Sequence, residues 1–147
     1  MIATPHNVEM IGKNLDHPEE KQVFNFDLFM RLMNDKRYEG LVFGELSAMT
    51  QFNRIGKPLT TVLEREDLHE RIVNGSDYPL PAVNVVIRTK PLVKAGYIDD
   101  DERRSLNEIY DYNPMLFDFV LKRTIKLPGS NKRLPSSVFM TNAALGV

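Results

Sequence analysis

Asp99-Asp100-Asp101-Glu102 sets four carboxylates side by side, the most tempting titratable cluster in the sequence. Mg²⁺ and Ca²⁺ take oxygen ligands of this kind. A calcium loop, however, spaces its ligands at alternate positions around a glycine turn, and that spacing is missing here. Consecutive residues at a helix start also point in different directions. Acidic side chains there complement the helix dipole. The cluster is expected to cap a helix, and no metal site and no cofactor is expected from this sequence.

Nucleophilic and acid–base patterns are equally incomplete. Of the three histidines, His6, His17 and His69, no two have the i,i+4 spacing of a zinc-binding helix. His69-Glu70 lacks the second His of the metalloprotease motif. His69 is expected in solvent, on the charged face of its helix. Ser47 is flanked by Glu45 and Met49, where a nucleophile elbow needs glycines. Gly40 and Gly44 are not followed by the Gly-Lys-Ser/Thr run that cradles phosphates. The absence of Cys removes disulfides, thiolate chemistry and Cys-ligated metals together. No catalytic or cofactor-binding residue is therefore named, and the chain is read as not an enzyme.

Charge distribution is the more informative signal. After Asp118 there is no acidic residue, yet Lys122, Arg123, Lys126, Lys132 and Arg133 follow. Cations in the last turn of a helix complement its dipole. That accounts for Lys122, Arg123 and Lys126 but leaves Lys132 and Arg133 without a role. Beyond them lie Phe139 and Met140, two large apolar side chains in a Pro/Ser/Asn-rich segment. Such a segment buries too little apolar surface to offset its own ordering, which costs roughly 1–2 kcal/mol per residue for the backbone. Lys132, Arg133, Phe139 and Met140 are expected to bind a partner, the apolar pair as anchors and the cations as rim charges.

The elements that would position these groups can be read from caps and periodicity. Over 16–37, Asp16-His17-Pro18-Glu19 resembles a capping box and predicts one long helix. The other reading is a short strand over 21–26, where Val23-Phe24-Asn25-Phe26 favours β structure, followed by a helix over 28–37 that Asp27 caps. Leu46, Met49 and Phe52 suggest a short helix over 45–53. Thr61 and Glu64 form a second capping pattern and predict a helix to about Val73, which Asn74-Gly75 ends. Val62, Leu63, Leu68, Ile72 and Val73 would be buried on it, and Asp67 and Arg71 would pair at i,i+4. The β-branched run over 82–89 predicts a strand with Val83, Val85 and Ile87 on the inner face. Helices are expected over 99–113 and from Pro114 to about Lys126, with Asn113 capping the second. Leu106, Ile109, Tyr110 and Asn113 would face inward on the first. Phe117, Val120, Leu121 and Ile125 would do so on the second, with Met115, Leu116 and Phe119 partly off that stripe. Val138-Phe139-Met140 suggests a last short strand.

Composition bounds the rest. The chain has 147 residues, 42% of them hydrophobic, which suits one domain with a sizeable core. A formal net charge of -1 gives no global attraction to nucleic acid or to anionic lipid. No apolar run approaches the roughly 18–20 residues of a membrane span. Met1-Ile2-Ala3-Thr4-Pro5-His6-Asn7 has neither a basic nor an apolar leader region, so no signal peptide is expected.

The sequence thus predicts an α+β fold, with four or five helices on a small, mostly antiparallel sheet. Residues 1–126 would form one globular domain and 127–147 an extended C-terminal arm. By elimination, a non-enzymatic structural or interaction subunit of a larger assembly is expected, with a phage-type virion component as one such setting. It would dock on other protein subunits through its termini, in the cytoplasm or in an assembled particle, with no membrane partner. The alternative is a small winged-helix-like DNA-binding protein, with 61–73 and 80–90 as its two helices and Arg88, Lys90 and Lys94 facing DNA. Nucleic acid is not the favoured partner. The state of 82–89, strand or helix, separates the two readings.

Overall fold

The computed structural model describes residues 2–3, 11–12, 14, 17–19, 22–83, 85–142 and 145. The fold mixes helix and strand. Among the described residues are five α-helices, namely α1 (Asn25–Asn34), α2 (Lys57–Glu64), α3 (Thr89–Lys94), α4 (Asp100–Tyr112) and α5 (Pro114–Thr124). The strands are short: β1 (Ile2–Ala3), β2 (Ile11–Gly12), β3 (Val23–Phe24), β4 (Phe43–Glu45) and β5 (Ile72–Val73). Four 3-10 turns link them, at Lys36–Tyr38, Glu66–Arg71, Leu80–Ala82 and Ser136–Phe139.

The larger sheet has the order β1-β4-β5 and is parallel throughout, with Ile2 opposite Phe43, Gly44 opposite Ile72 and Glu45 opposite Val73. Among the described residues only β2 and β3 pair antiparallel. The expected mostly antiparallel sheet is therefore corrected. Antiparallel neighbours are joined by tight hairpins, whereas β4 and β5 are separated by α2 and a 3-10 turn, the kind of crossover that parallel strands need. Gly44 lets this sheet pack closely on α1: a Cβ there would lie 2.8 Å from Phe29 Cζ and 2.8 Å from Ile72 Cδ1.

Several expected elements differ from those observed. Over 16–37 the second reading is nearer: β3 occupies Val23–Phe24 and α1 starts at Asn25, although Asp27 lies inside it. Asp16, the proposed cap, lies outside the described residues. Over 45–53 there are turns instead of a helix. Leu46, Ser47, Ala48, Met49 and Thr50 are all buried, so the segment has no solvent face, and Ala48 adopts a φ of 56° that no helix contains. Phe52, expected on that helix at helical spacing from Leu46 and Met49, is exposed.

The Thr61 cap is also corrected. The helix starts five residues earlier, after Gly56 as its cap, with Pro58 in its first turn, where its missing N–H costs nothing. It ends at Glu64, and the chain then winds as a 3-10 turn into β5. Val62, Leu63, Leu68, Ile72 and Val73 are buried as expected. Asp67 and Arg71 do not pair. Asp67 takes Arg65, with Nη2 to Oδ2 at 2.7 Å, while Arg71 donates to the carbonyls of Met33, Val42 and Tyr38.

The expected strand over 82–89 is absent from the described residues, and so is a helix over 80–90; Asn84 lies outside the description. Pro79 and Pro81 fix a 3-10 turn, and the Val83 and Val86 amides bond to Leu80 and Val83 carbonyls. These local turns occupy donors that a ladder would need. Ile87 is buried, but Val83 and Val85 face solvent. Val138-Phe139-Met140 is likewise no strand; its first two residues end a 3-10 turn.

The C-terminal helices match their local signals. Asp99 and Glu102 form a reciprocal capping box, with Glu102 N donating to Asp99 Oδ1 at 2.8 Å and Asp99 N to Glu102 Oε2 at 2.9 Å. The Asn113 side chain accepts from Met115 N and Leu116 N, both at 3.0 Å, and Pro114 opens α5. Asn113 itself is exposed rather than inward. Leu106, Phe117, Leu121 and Ile125 enter one core with Phe26, Met33 and Leu63. No helix among the described residues is long and apolar enough to cross a membrane.

Candidate interaction surface

The segment carrying Lys132, Arg133, Phe139 and Met140 is fastened to its own chain. Leu134 and Val138 are buried in the core, and the Val138 carbonyl accepts from Asn74 N at 2.9 Å, just beyond β5. Lys132 Nζ reaches Glu66 Oε1 at 2.7 Å. That hydrogen bond holds the Glu66 carboxyl below its ordinary value and raises the Lys132 ammonium. Arg133 joins Glu102 Oε1 at 3.1 Å and donates to the Thr124 carbonyl. Phe139 is half-buried, edge-on to Phe119 at 5.5 Å, with the Arg123 guanidinium 5.4 Å from its ring centre. Met140 alone of the four has no such engagement and is 68% exposed.

Lys122 does not end as a surface cation completing a helix dipole. It is 1% exposed, and its Nζ lies 2.6 Å from Asp118 Oδ2 and 2.6 Å from the Gly75 carbonyl. Burial pushes the Asp118 carboxyl up and the Lys122 ammonium down, each partly offset by the other's charge. Gly75 is squeezed against the Glu45 carboxylate, which accepts from the Ser47 hydroxyl; a Cβ at Gly75 would collide with Glu45 Oε1. Ser47 is thus buried in a cluster that ties α5 to the ends of β4 and β5.

His69 is corrected as well. It is buried, with Nε2 2.8 Å from the Val62 carbonyl. A 3-10 turn advances three residues per turn, which rotates His69 off the face an α-helix would give it. In the acidic cluster, Asp99 and Glu102 cap α4, and Asp101 pairs with Arg104. Glu102 also receives Lys126 Nζ at 3.5 Å. Among the described residues no group of three or more His, Asp or Glu is placed to hold a metal ion.

The corner between α4 and α5 shows the opposite character. Tyr112 is 91% exposed, Leu116 48% and Met115 39%. The corner is held by the Asn113 cap and by Tyr110 packing edge-on against Phe117 at 5.1 Å. Tyr and Met are among the residues enriched at protein interfaces. Beside it lies a cleft of about 280 Å³ lined by Ile87, Arg88, Thr89, Lys90, Asn107, Tyr110 and Phe117. Thr89 Oγ1 donates to Asn107 Oδ1 at 2.9 Å across it. Arg88, Lys90 and Lys94 are exposed, and none forms an ion pair among the described residues; Arg88 lies 5.9 Å from the Phe52 ring centre. The sequence signal for this corner was the position of Met115 and Leu116 off the apolar stripe of α5; Tyr112 gave none.

No protein-family model matches the chain, no curated protein matches its sequence and no solved structure matches its fold.

Proposed function

We propose that this chain is a non-enzymatic structural or interaction subunit of a larger protein assembly. The observation that carries this reading is the α4–α5 corner, where Tyr112, Met115 and Leu116 stand exposed together on a capped, packed support. Single exposed apolar side chains are ordinary, whereas a cluster of large ones marks interaction surfaces. A rigid support lowers the ordering cost of docking. The C-terminal segment contributes less directly: Lys132 and Arg133 orient it on its own domain, and Met140 offers a further apolar contact.

Native mass of the protein, drawn from its source without denaturant, tests the reading. The wild type should run in a reproducible species heavier than the 16.9 kDa chain. Tyr112→Asp combined with Leu116→Asp should return it to monomer with its melting temperature unchanged. A wild type found only as free monomer would contradict the proposal.

A second reading, nucleic-acid contact, is favoured by one observation: Arg88, Lys90 and Lys94 lie within seven residues and lack carboxylate partners among the described residues. It differs in its readout, because duplex binding through these cations would weaken steeply with salt.

A further inference from the structure

We propose that the cavity at the carboxyl ends of β4 and β5 binds a small aliphatic ammonium ion, with the Glu45 carboxylate as its counter-ion and the apolar wall beside it receiving the alkyl chain. This goes beyond the assembly reading and does not depend on it. β4 and β5 run parallel, so Glu45 and Val73, paired in register, finish both strands at the same edge of the sheet. Where strands run parallel in an open sheet, ligands enter the crevice outside the carboxyl ends. A cavity of about 420 Å³ lies at that edge, within the roughly 300–1,000 Å³ of small-molecule sites. Glu45, Val73 and Asn74 line it from the sheet, and Val138, Met140 and Leu145 line it from the C-terminal segment.

Charge and hydrogen bonding select the occupant. The Glu45 carboxylate accepts from the Ser47 hydroxyl and forms no ion pair among the described residues. Lys122 lies within its electrostatic reach. The Lys122 ammonium is nevertheless committed to Asp118 Oδ2 and to the Gly75 carbonyl, both at 2.6 Å. Asn74 keeps its amide oxygen buried without a hydrogen-bond donor. Buried polar atoms are nearly always paired, so this oxygen also calls for a donor. An ammonium brings three donors and one positive charge. A divalent ion such as Ca²⁺ or Mg²⁺ would want about six oxygen ligands or more. Among the described residues no group of three or more His, Asp or Glu is placed to begin such a set. The alkyl chain would lie on Val73 and Val138, which are buried, and cover part of Met140 and Leu145, which are exposed.

Isothermal titration calorimetry of the purified full chain with n-hexylamine hydrochloride, at about pH 7, tests this. Hexylammonium should bind saturably, one per chain. n-Hexanol and sodium hexanoate share its alkyl body without its positive charge, and each should bind at least about tenfold more weakly. Glu45→Gln should weaken hexylammonium binding by at least about tenfold and leave hexanol unchanged. Because Glu45 borders the buried Lys122, a second variant keeps every charge in place. Leu145→Trp fills the cavity from its rim and should abolish hexylammonium binding, with circular dichroism melts as in the wild type. No saturable binding of hexylammonium would overturn the proposal. So would hexanol binding as tightly as hexylammonium, since the carboxylate would then take no part. Hexylammonium binding that neither variant alters would overturn it too, because the ligand would then sit elsewhere.

Discussion

The C-terminal segment over 125–142 and the α4–α5 corner present opposite kinds of surface. In the segment, Lys132 finds Glu66, Arg133 finds Glu102, and Leu134 and Val138 enter the core. At the corner, Tyr112, Met115 and Leu116 stand exposed although the Asn113 cap and the Tyr110–Phe117 contact hold the two helices together. The segment looked unfinished because its charges lack acids nearby in sequence. The acids come from Glu66 and Glu102, far along the chain. The corner looked finished because helical caps are local. Sequence bias in charge therefore says little about exposure, whereas an apolar residue off a helix stripe stays exposed unless another element covers it.

Lys122→Ala gives the largest expected effect. Lys122 holds the Gly75 carbonyl, next to Asn74, whose amide donates to the Val138 carbonyl of the segment. Removing one member of a fully buried pair strands the other, and about 3–5 kcal/mol of unfolding free energy should be lost in urea titrations. Combining Lys122→Met with Asp118→Leu should recover most of it, since apolar replacement of both partners is often neutral or better. If the single variant matched the wild type, the segment would not depend on this anchor.

Leu134→Ala follows, with an expected loss of roughly 2–5 kcal/mol through cavity formation under the segment. Near-wild-type stability would show that the segment is not part of the core in solution, and the comparison would collapse. Asn113→Ala should cost about 0.5–2 kcal/mol by removing the cap that shapes the corner. Circular dichroism melts would record it, and a zero effect would mean that the corner is held by packing alone.

Asp99 supplies a pH signature. The Glu102 amide it accepts holds its carboxyl below the ordinary value, with Lys126 adding to the effect. Its folded pKa is thus below its unfolded one. The stability it contributes is present above the unfolded value and is lost as pH falls through the folded value. Asp99→Asn should flatten the acid limb of the stability profile below about pH 4, near the ordinary aspartate value. Unchanged acid sensitivity would remove the capping charge from the account. Leu116→Ala marks the smallest effect: stability should move by no more than about 0.5 kcal/mol. A loss as large as that of Leu134→Ala would mean that Leu116 is covered in the isolated chain.

The parts legible in the sequence were those whose causes lie within one turn. Asp99 with Glu102, and Asn113 with Pro114, define α4 and α5 because each cap closes within three residues. The apolar positions Val62, Leu63, Leu68, Ile72 and Val73 were also legible, although the helix expected to carry them was not. Elements that depend on distant partners were not legible. The β-branched run over 82–89 has strand propensity, but propensity expresses fit to a neighbouring strand, and prolines turn this backbone instead. Parallel pairing of β4 with β5 rests on strands of two and three residues, too short to show a period. His69 and Lys122 read as surface groups because their partners, the Val62 and Gly75 carbonyls, are main-chain atoms that no side-chain pattern reveals.

Hydroxyl-radical footprinting of the protein in its native assembly and as the isolated chain reads whether the α4–α5 corner is covered by a partner. Labelling should fall at Tyr112, Met115 and Leu116 on assembly and stay unchanged at Leu134 and Val138, which are covered in both states. Equal labelling of the corner in both states would contradict the account.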